Sequence, residues 1–518
     1  MSHSIKELVE NPHPIYKNNV HYWNFLLDSY EGGADYTGAL VTSNKSSDQN
    51  IFVNGQKIRS QSQSHLFEHP KERSEDYKRR IRMSYYYNYC SPVVDIYTNH
   101  LFKKPIIEEF DTIGTEVEQI KNDVDRKGSS IAEFRKEMAD LAQIYGHIHI
   151  LVDSPKAKGN VDSLQDKIDD RLFPFMTFFH PQDVLNWSLD RFGKARWVLL
   201  REIEDGNVDP QTFDKDKVNI VHYRLWTTTE WFLYDEEYGL VEAGTHNLGV
   251  VPLETAFNKQ SKKCNNLMGI SSIADISFIT RDIYNLNSEL QEIIRNQTFS
   301  ILALNGKSTD YSSAIVGTNR AIIYPDGFNP PSYISPPPAN AQIIMNQISQ
   351  QISRVFELAK LDGGSASFKG QNAVEKSGVS KAWDFNQTNA ELSSKASNLE
   401  DAETKVWKLV SLWEQKATFE GSVDYPDEFS IKDVNEDLDK LEKVTKQNFG
   451  KSFVLAMKKG IIKKEFPKLT DEELTQHENE IKEIPEETFA QGGRKLRSRI
   501  NNDLFTSNQT GTNNNGRN

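Results

Sequence analysis

The string NGKST at residues 305–309 ends as a phosphate-binding loop ends, with a lysine to reach phosphates and a hydroxyl to meet magnesium. The full pattern needs a glycine five places before Gly306, where this chain has Ile301 inside a strand-like run, and no helix is predicted after Ser308. A surface turn is the plainer reading, and an NTPase that processes nucleic acid is the rival resting on the string. His147, His149 and Asp153 alternate along "HIHILVD", so one face of a strand would carry all three, a set able to ligate a metal. The plainer reading puts them on the solvent face, with Ile148, Ile150 and Val152 inside. Cys90 and Cys264 are the two cysteines, too few for a disulfide framework or a four-cysteine zinc site, and they read as buried reduced thiols. No GxSxG, HExxH, CxxC or dinucleotide-binding glycine pattern occurs. Most carboxylates are interleaved with lysine on predicted helix faces, where solvation is their role. An enzyme is disfavoured, and neither metal nor cofactor is expected.

Chemistry of that kind being absent, the question becomes what the elements position. The chain has 518 residues, enough for three or four packed units at about 150 residues each. With 37% hydrophobic residues and no apolar run near the roughly 18 residues of a membrane span, it is not expected to cross a bilayer. The N-terminal "MSHSIKELVENPHPIYK" lacks the features of a signal peptide, so residence in the cytoplasm is the expectation. A net charge of -13 argues against uniform attraction to nucleic acid, so contact with DNA must be local or weak.

Residues 77–101 read as two helices meeting near Ser91, beside Pro92. A helix over 131–145 follows, with Ser130 and Glu133 spaced as a capping box and Gly146 where a left-handed cap belongs. Residues 174–257 are rich in aromatic and β-branched runs separated by Gly, Asp, Asn and Pro, so the first half mixes helix and strand without βαβ alternation, an α+β domain. From Ile273 to Gln297 a helix on the order of 38 Å is expected, capped by Ser272 and Asp275. Its stripe of Ile276, Ile279, Ile283, Leu286, Leu290 and Ile293 has the narrow spacing of a helix packed along another. Two strand-like runs, "FSILALNG" and "RAIIYPDG", and the proline-rich "NPPSYISPPPAN" precede a returning helix from Ala341 with Ile344, Ile348, Ile352 and Val355 on one side. After a glycine-rich stretch a third helix runs from about Val379 to Gln415, with Asn389 and Glu403 interrupting a seam of Phe385, Leu392, Ala396, Leu399, Val406, Val410 and Trp413. The chain closes on a charged helical segment, the basic "RKLRSR" and an Asn-rich tail too polar for a core.

The order of "WNFLLDSYEGG", "YKRRIRMSYYYNYCSPVVDIYTNHLFKKP", "HPQDVLNW", "HNLGVVPLETAF", "MGISSIADI", the capped hairpin and "EKSGVSKAWDFNQTNAEL" resembles the portal proteins of tailed double-stranded-DNA bacteriophages, over roughly residues 20 to 416. The resemblance implies a ring, usually of twelve copies, at one capsid vertex, through which terminase drives DNA in and from which it leaves by the tail. It implies a portal fold: an α+β wing (1–268), stem helices (269–298 and 341–361), a small α/β clip (299–340), a tunnel loop (362–378), a long wing helix (379–420), a mainly helical crown (421–490) and a disordered tail (491–518). Implied partners are identical copies, double-stranded DNA, the terminase large subunit, head-tail adaptors, and the major capsid and scaffolding proteins, with no membrane. The implied location is the virion, with assembly in the host cytoplasm.

Within that frame Gly363, Gly364, Gly370 and Gly378 would let the tunnel loop yield to a moving duplex, and Lys369, Lys376 and Lys381 would meet phosphates. A few lysines in an otherwise acidic conduit would centre DNA without gripping it. Tyr311, Arg320 and Tyr324 would face clip partners. The stripe from Ile276 to Ile293 would pack between subunits, since a narrow apolar seam is expected to close against identical neighbours. The remaining alternative is a coiled-coil adaptor without a channel.

Overall fold

A computed structural model of the chain describes residues 5–38, 51–53, 56–59, 64–110, 116–155, 167–168, 170–206, 219–263, 267–298, 301–303, 332–334, 338–360, 378–416, 419–427, 429, 441–445, 447, 453–455, 457–458 and 461, with the backbone alone for 35, 51–53, 56–59, 296, 298, 301–303, 332–334, 338 and 378–386. Two compact units contain them, Met1–Phe429 and Ser430–Asn518. In the second, residues 441–445 are helical and the Thr445 hydroxyl donates to Leu441 O at 2.7 Å.

Three helices open the first unit: α1 (Ile5–Glu10), α2 (Pro14–Glu31) and α3 (Gly33–Thr37). Pro14 sets the first turn of α2, and His13 Nδ1 accepts the Ile15 N–H at 3.2 Å. A short hairpin, β1 (Ile51–Val53) and β2 (Gln56–Arg59), precedes α4 (Ser74–Met83) and α5 (Cys90–Leu101). The expected break at Ser91 lies earlier, over residues 84–89. Asn88 Oδ1 accepts the N–H groups of Cys90 and Ser91, both at 3.0 Å, so α5 begins there and Pro92 falls in its first turn, where a missing donor costs little. After β3 (Ile107–Phe110) and α6 (Glu116–Asn122), α7 (Ile131–Tyr145) has the expected capping box between Ser130 and Glu133 and the expected left-handed Gly146, φ 90°.

Eight strands come next, β4 (His147–Asp153), β5 (Phe175–Phe179), β6 (Val184–Leu189), β7 (Ala195–Asp205), β8 (Asn219–Thr227), β9 (Glu230–Tyr234), β10 (Leu240–Thr245) and β11 (Leu253–Phe257). They make a five-stranded sheet in the order β10-β9-β8-β7-β6 and a three-stranded sheet in the order β11-β4-β5, antiparallel throughout. Then come α8 (Ala274–Thr298), β12 (Ile301–Ala303), β13 (Ser332–Ile334), α9 (Pro338–Leu358), α10 (Gly378–Trp413) and β14 (Gly421–Asp424). β14 pairs with β3, so residues 421–429, expected in the C-terminal region, are built into the first unit.

The expected solvent face of β4 does not exist. β4 is the middle strand of its sheet, α7 and α10 pack against it, and both of its faces are covered. His149 shares a 2.9 Å hydrogen bond with the Thr255 hydroxyl, and His147 Nδ1 accepts the Gly269 N–H at 3.3 Å. Burial pushes His147 down to about 3 and His149 well below its ordinary range, so both rings are neutral core groups at physiological pH. Among the described residues no group of three or more His, Cys, Asp and Glu could hold a metal, and no helix is long and apolar enough to cross a membrane.

β11 delivers the chain to α8 through a close crossing of two glycines. A Cβ placed on Gly269 would stand 1.8 Å from Gly146 O, and one on Gly146 would stand 2.7 Å from Ser271 N. The crossing lets Ser272 N donate to Gln143 O at 2.9 Å and Asn258 N to Gly146 O at 2.9 Å, which fastens the root of α8 to the end of α7. The expected Ser272–Asp275 cap is not formed. The Ser272 hydroxyl donates to Asn258 Oδ1 at 3.1 Å, and Ser271 Oγ takes the Ile273 N–H at 3.1 Å instead. A methyl group at Gly269 must force the two backbones apart, so Gly269→Ala should lower unfolding free energy by about 3 kcal/mol or more, read as a fall in the urea midpoint; a midpoint equal to wild type would show the crossing to be compliant.

Candidate assembly site along the helical hairpin

α8 begins in the core and leaves it. Its first turns carry Ile276 and Ile283, 2% and 1% exposed, in one cluster with the body, and Cys90 meets Thr280 there at 3.8 Å. Burial pushes the Cys90 thiol up to about 11, which removes it as a nucleophile. The subunit-packing role assigned to Ile276 and Ile283 therefore fails for the single chain, because its own polypeptide covers both. Ile279, Leu286, Leu290 and Ile293 are only half-buried.

One flank of α8 is held by residues 65–83. Arg281 lies over the rings of Phe25, Phe67 and Phe278 at 4.9, 5.1 and 5.1 Å. Phe67 N donates to Asn285 Oδ1 at 2.7 Å. Arg80 pairs with Glu72 at 2.6 Å, donates to Phe67 O at 2.7 Å and to Ser288 Oγ at 3.2 Å, and its hydrogen bonds hold the Glu72 carboxyl below the usual range. On another side α9 returns along α8, with Gln351 donating to Asp282, Val355 buried, and Ile348 and Ile352 half-buried against the core. The Tyr97 hydroxyl donates to Ala359 O at 2.5 Å and fixes where α9 ends. β12 and β13 pair antiparallel at the tip; the partner of Ile301–Ala303 is Ser332–Ile334, within the proline-rich run and not in "RAIIYPDG".

The two flanks of α9, on either side of its inward Ile344 and Ile348, are the unusual surface, since Ile343 and Met345 are two residues apart and point about 200° from each other. Ile343 is 65% exposed and Met345 48%, and no charged residue occurs from Ala339 to Ser353. Exposed helix faces ordinarily carry charge, and an apolar and amide-rich face suits burial against protein. Phe278 and Ile294 add exposed apolar area on α8. Periodicity picks out the inward stripe of both helices and misses Ile343 and Met345; the signal for these two is the missing charge.

The long helix α10 is anchored by its polar seam residues. Arg135 on α7 donates from Nε to both oxygens of Glu403 at 3.0 Å and from Nη2 to Glu403 Oε1 at 2.6 Å and to Glu108 at 2.5 Å. Trp407 Nε1 and the Tyr425 hydroxyl complete the Glu403 shell at 3.0 and 2.7 Å, and Asn389 Oδ1 accepts the Phe429 N–H at 2.7 Å. Burial works to raise the Glu108 carboxyl, but bonds from Lys121 and Arg135 outweigh it and hold the group below its ordinary range. Gly378 is the first residue of α10 rather than a loop residue, and Lys381 lies in its first turns. Gly363, Gly364, Lys369, Gly370, Lys376, Tyr311, Arg320, Tyr324, Cys264 and the NGKST string lie outside the described residues.

No family model matches the chain, and no curated protein matches it. Its fold is similar to a chain of a solved "Virion of native gene transfer agent (GTA) particle", at 9% identity and a TM-score of 0.35 over 69% of this chain and 86% of that one. It is also similar to a chain of the "Neck of empty GTA particle computed with C6 symmetry", at 8% identity and a TM-score of 0.38 over 71% and 88%. At these scores neither likeness carries weight for the role of this chain, which rests on its own residues.

Removing Glu403 leaves a buried guanidinium short of its main counter-ion. Glu403→Ala should cost about 3–5 kcal/mol in urea unfolding, whereas Lys405→Ala, which breaks a half-exposed pair with Glu254, should cost less than about 1 kcal/mol. Equal losses would show that the Arg135 network does not anchor α10.

Proposed function

We propose that this chain is a portal protein, the head-to-tail connector of a tailed double-stranded-DNA bacteriophage. Copies form a closed ring at one capsid vertex, terminase drives DNA through the bore, and adaptors join the clip before ejection. The role is structural rather than catalytic, and the chain resides in the virion after assembly in host cytoplasm. One observation supports this reading above the others. A helical hairpin rooted in an α+β body has a small strand pair at its tip, exposed apolar residues on two uncharged flanks of α9, and a 36-residue helix following it in the chain. A surface of that kind is satisfied by a second copy, and a heterologous contact repeated around an axis closes a ring.

The assembly contact falls on Ile343, Met345 and the half-buried part of the α8 stripe, with Ile276 and Ile283 left to the body. Native mass and single-particle averages of the full chain test this. The expected result is a ring whose bore admits a duplex about 20 Å across. Ile343→Asp with Met345→Glu should dissociate it while shifting the monomer's unfolding free energy by less than about 1 kcal/mol, as for other surface positions. A monomer at assembly concentration, or a solid oligomer without a bore, would rule the portal reading out. A thermal shift with ATP and magnesium would favour the NTPase.

A further inference from the structure

Among the described residues Lys395 is the one buried lysine, 4% exposed, and its partners come from several elements that converge at the root of the hairpin. Its Nζ donates to Ser272 Oγ at 2.6 Å, just before α8, and to Asn258 Oδ1, just after β11. It stands 5.1 Å above the ring of Tyr97 on α5, the same tyrosine that holds Ala359 O at the end of α9. Asn258 donates to Ile270 O at 2.7 Å, and its carbonyl accepts from Asn398 on α10 at 2.8 Å. One ammonium thus links α10 to the start of one hairpin helix and, through Tyr97, to the end of the other.

Its acceptors are neutral. Among the described residues no carboxylate hydrogen-bonds to it, and Glu391, one turn earlier on α10, is ion-paired to Lys360 at 2.6 Å. The charges that bear on it are Glu391 from its own helix, Lys360 from the end of α9 and Lys259 from beside Asn258; α5 contributes Tyr97 and the root of α8 contributes Ser272.

We infer that Lys395 makes the hairpin root a proton-controlled joint, in which a charged Nζ favours opening of the root and a neutral Nζ lets the body close on it. Burial lowers the ammonium from an ordinary 10.5 to about 8, against the opposing pull of Glu391 and with help from Lys360 and Lys259. The closed root then binds fewer protons than the open one between those two values, so closure strengthens as pH rises through that interval and is weakest below about 8. Between pH 7 and pH 9 the opening constant should fall about tenfold. The joint is a property of the folded single chain and does not depend on the proposed function.

Hydrogen–deuterium exchange of the full chain at pH 7, 8 and 9, corrected for intrinsic rates, reads it directly in peptides covering residues 270–280, 355–360 and 388–399. Protection should rise about tenfold from pH 7 to pH 9 in the wild type, and Lys395→Met should be at least as protected at pH 7 as the wild type is at pH 9, without slope. A flat wild-type series, or the same slope in Lys395→Met, would overturn the inference. Should Lys395→Met fail to fold, the wild-type series still decides, and so does Lys259→Ser. That exposed change removes a like charge and must move the midpoint to higher pH; an unmoved midpoint counts against the joint.

Discussion

The apolar stripe of α8 is longer than the body that can cover it. Each isoleucine or leucine fully removed from water contributes about 1.5–3 kcal/mol, and Ile276 and Ile283 realise that gain inside their own chain. Leu286, Leu290 and Ile293 realise only part of it, because beyond the body α8 has α4 on one flank and α9 on another. Extending the helix past its core has a cost unless something else supplies cover. The uncharged flanks of α9 share that logic: on the proposed reading the exposed Ile343 and Met345 are covered by neighbouring copies.

What keeps such a hairpin upright is the rigidity of its root, and there the chain uses backbone contact and buried polar groups together. The Gly146–Gly269 crossing brings two backbones closer than any side chain would permit, so the direction in which α8 leaves is set by main-chain hydrogen bonds. The Arg135–Glu403 pair does the same for α10. A buried ion pair is weak support for stability when compared with apolar residues of the same size, but a bidentate guanidinium contact tolerates no sliding of one helix along another. Register is what a long helix spanning the body needs most.

Much of this was legible from residue patterns, and the misreadings have physical reasons. The cap of α7, the strands between 175 and 257 and the three long helices follow from periodicity and local hydrogen bonding, which act over a few residues. The alternation of "HIHILVD" looked like one wet face because period two cannot tell a central strand from an edge strand; that depends on α7 and α10, which are distant in sequence. The Ser272–Asp275 spacing satisfied the capping rule, yet the Ser272 hydroxyl is drawn off by Asn258 and Lys395, both tertiary partners. Likewise the polar seam positions Asn389 and Glu403 were visible, but that Glu403 would find Arg135 on α7 was not. The stripe from Ile276 to Ile293 shows that something covers it and not whether that cover is the same chain, which buries Ile276 and Ile283.

The contrast between the two buried cations then becomes informative. Arg135 is surrounded by carboxylate and is held above its ordinary range, whereas Lys395 has amide, hydroxyl and ring for company and is held below. A chain selected only for firmness would gain from an apolar side chain at 395, because a buried ammonium without a hydrogen-bonded counter-ion raises the free energy of the closed state. Its placement at the meeting point of α8, α9 and α10, and not in the sheets or beneath α7, concentrates that penalty where the hairpin joins the body. The Gly146–Gly269 crossing makes the root firm and the Arg135–Glu403 pair does so for α10, while Lys395 sets against them, at the same root, a penalty that falls as the ammonium loses its proton.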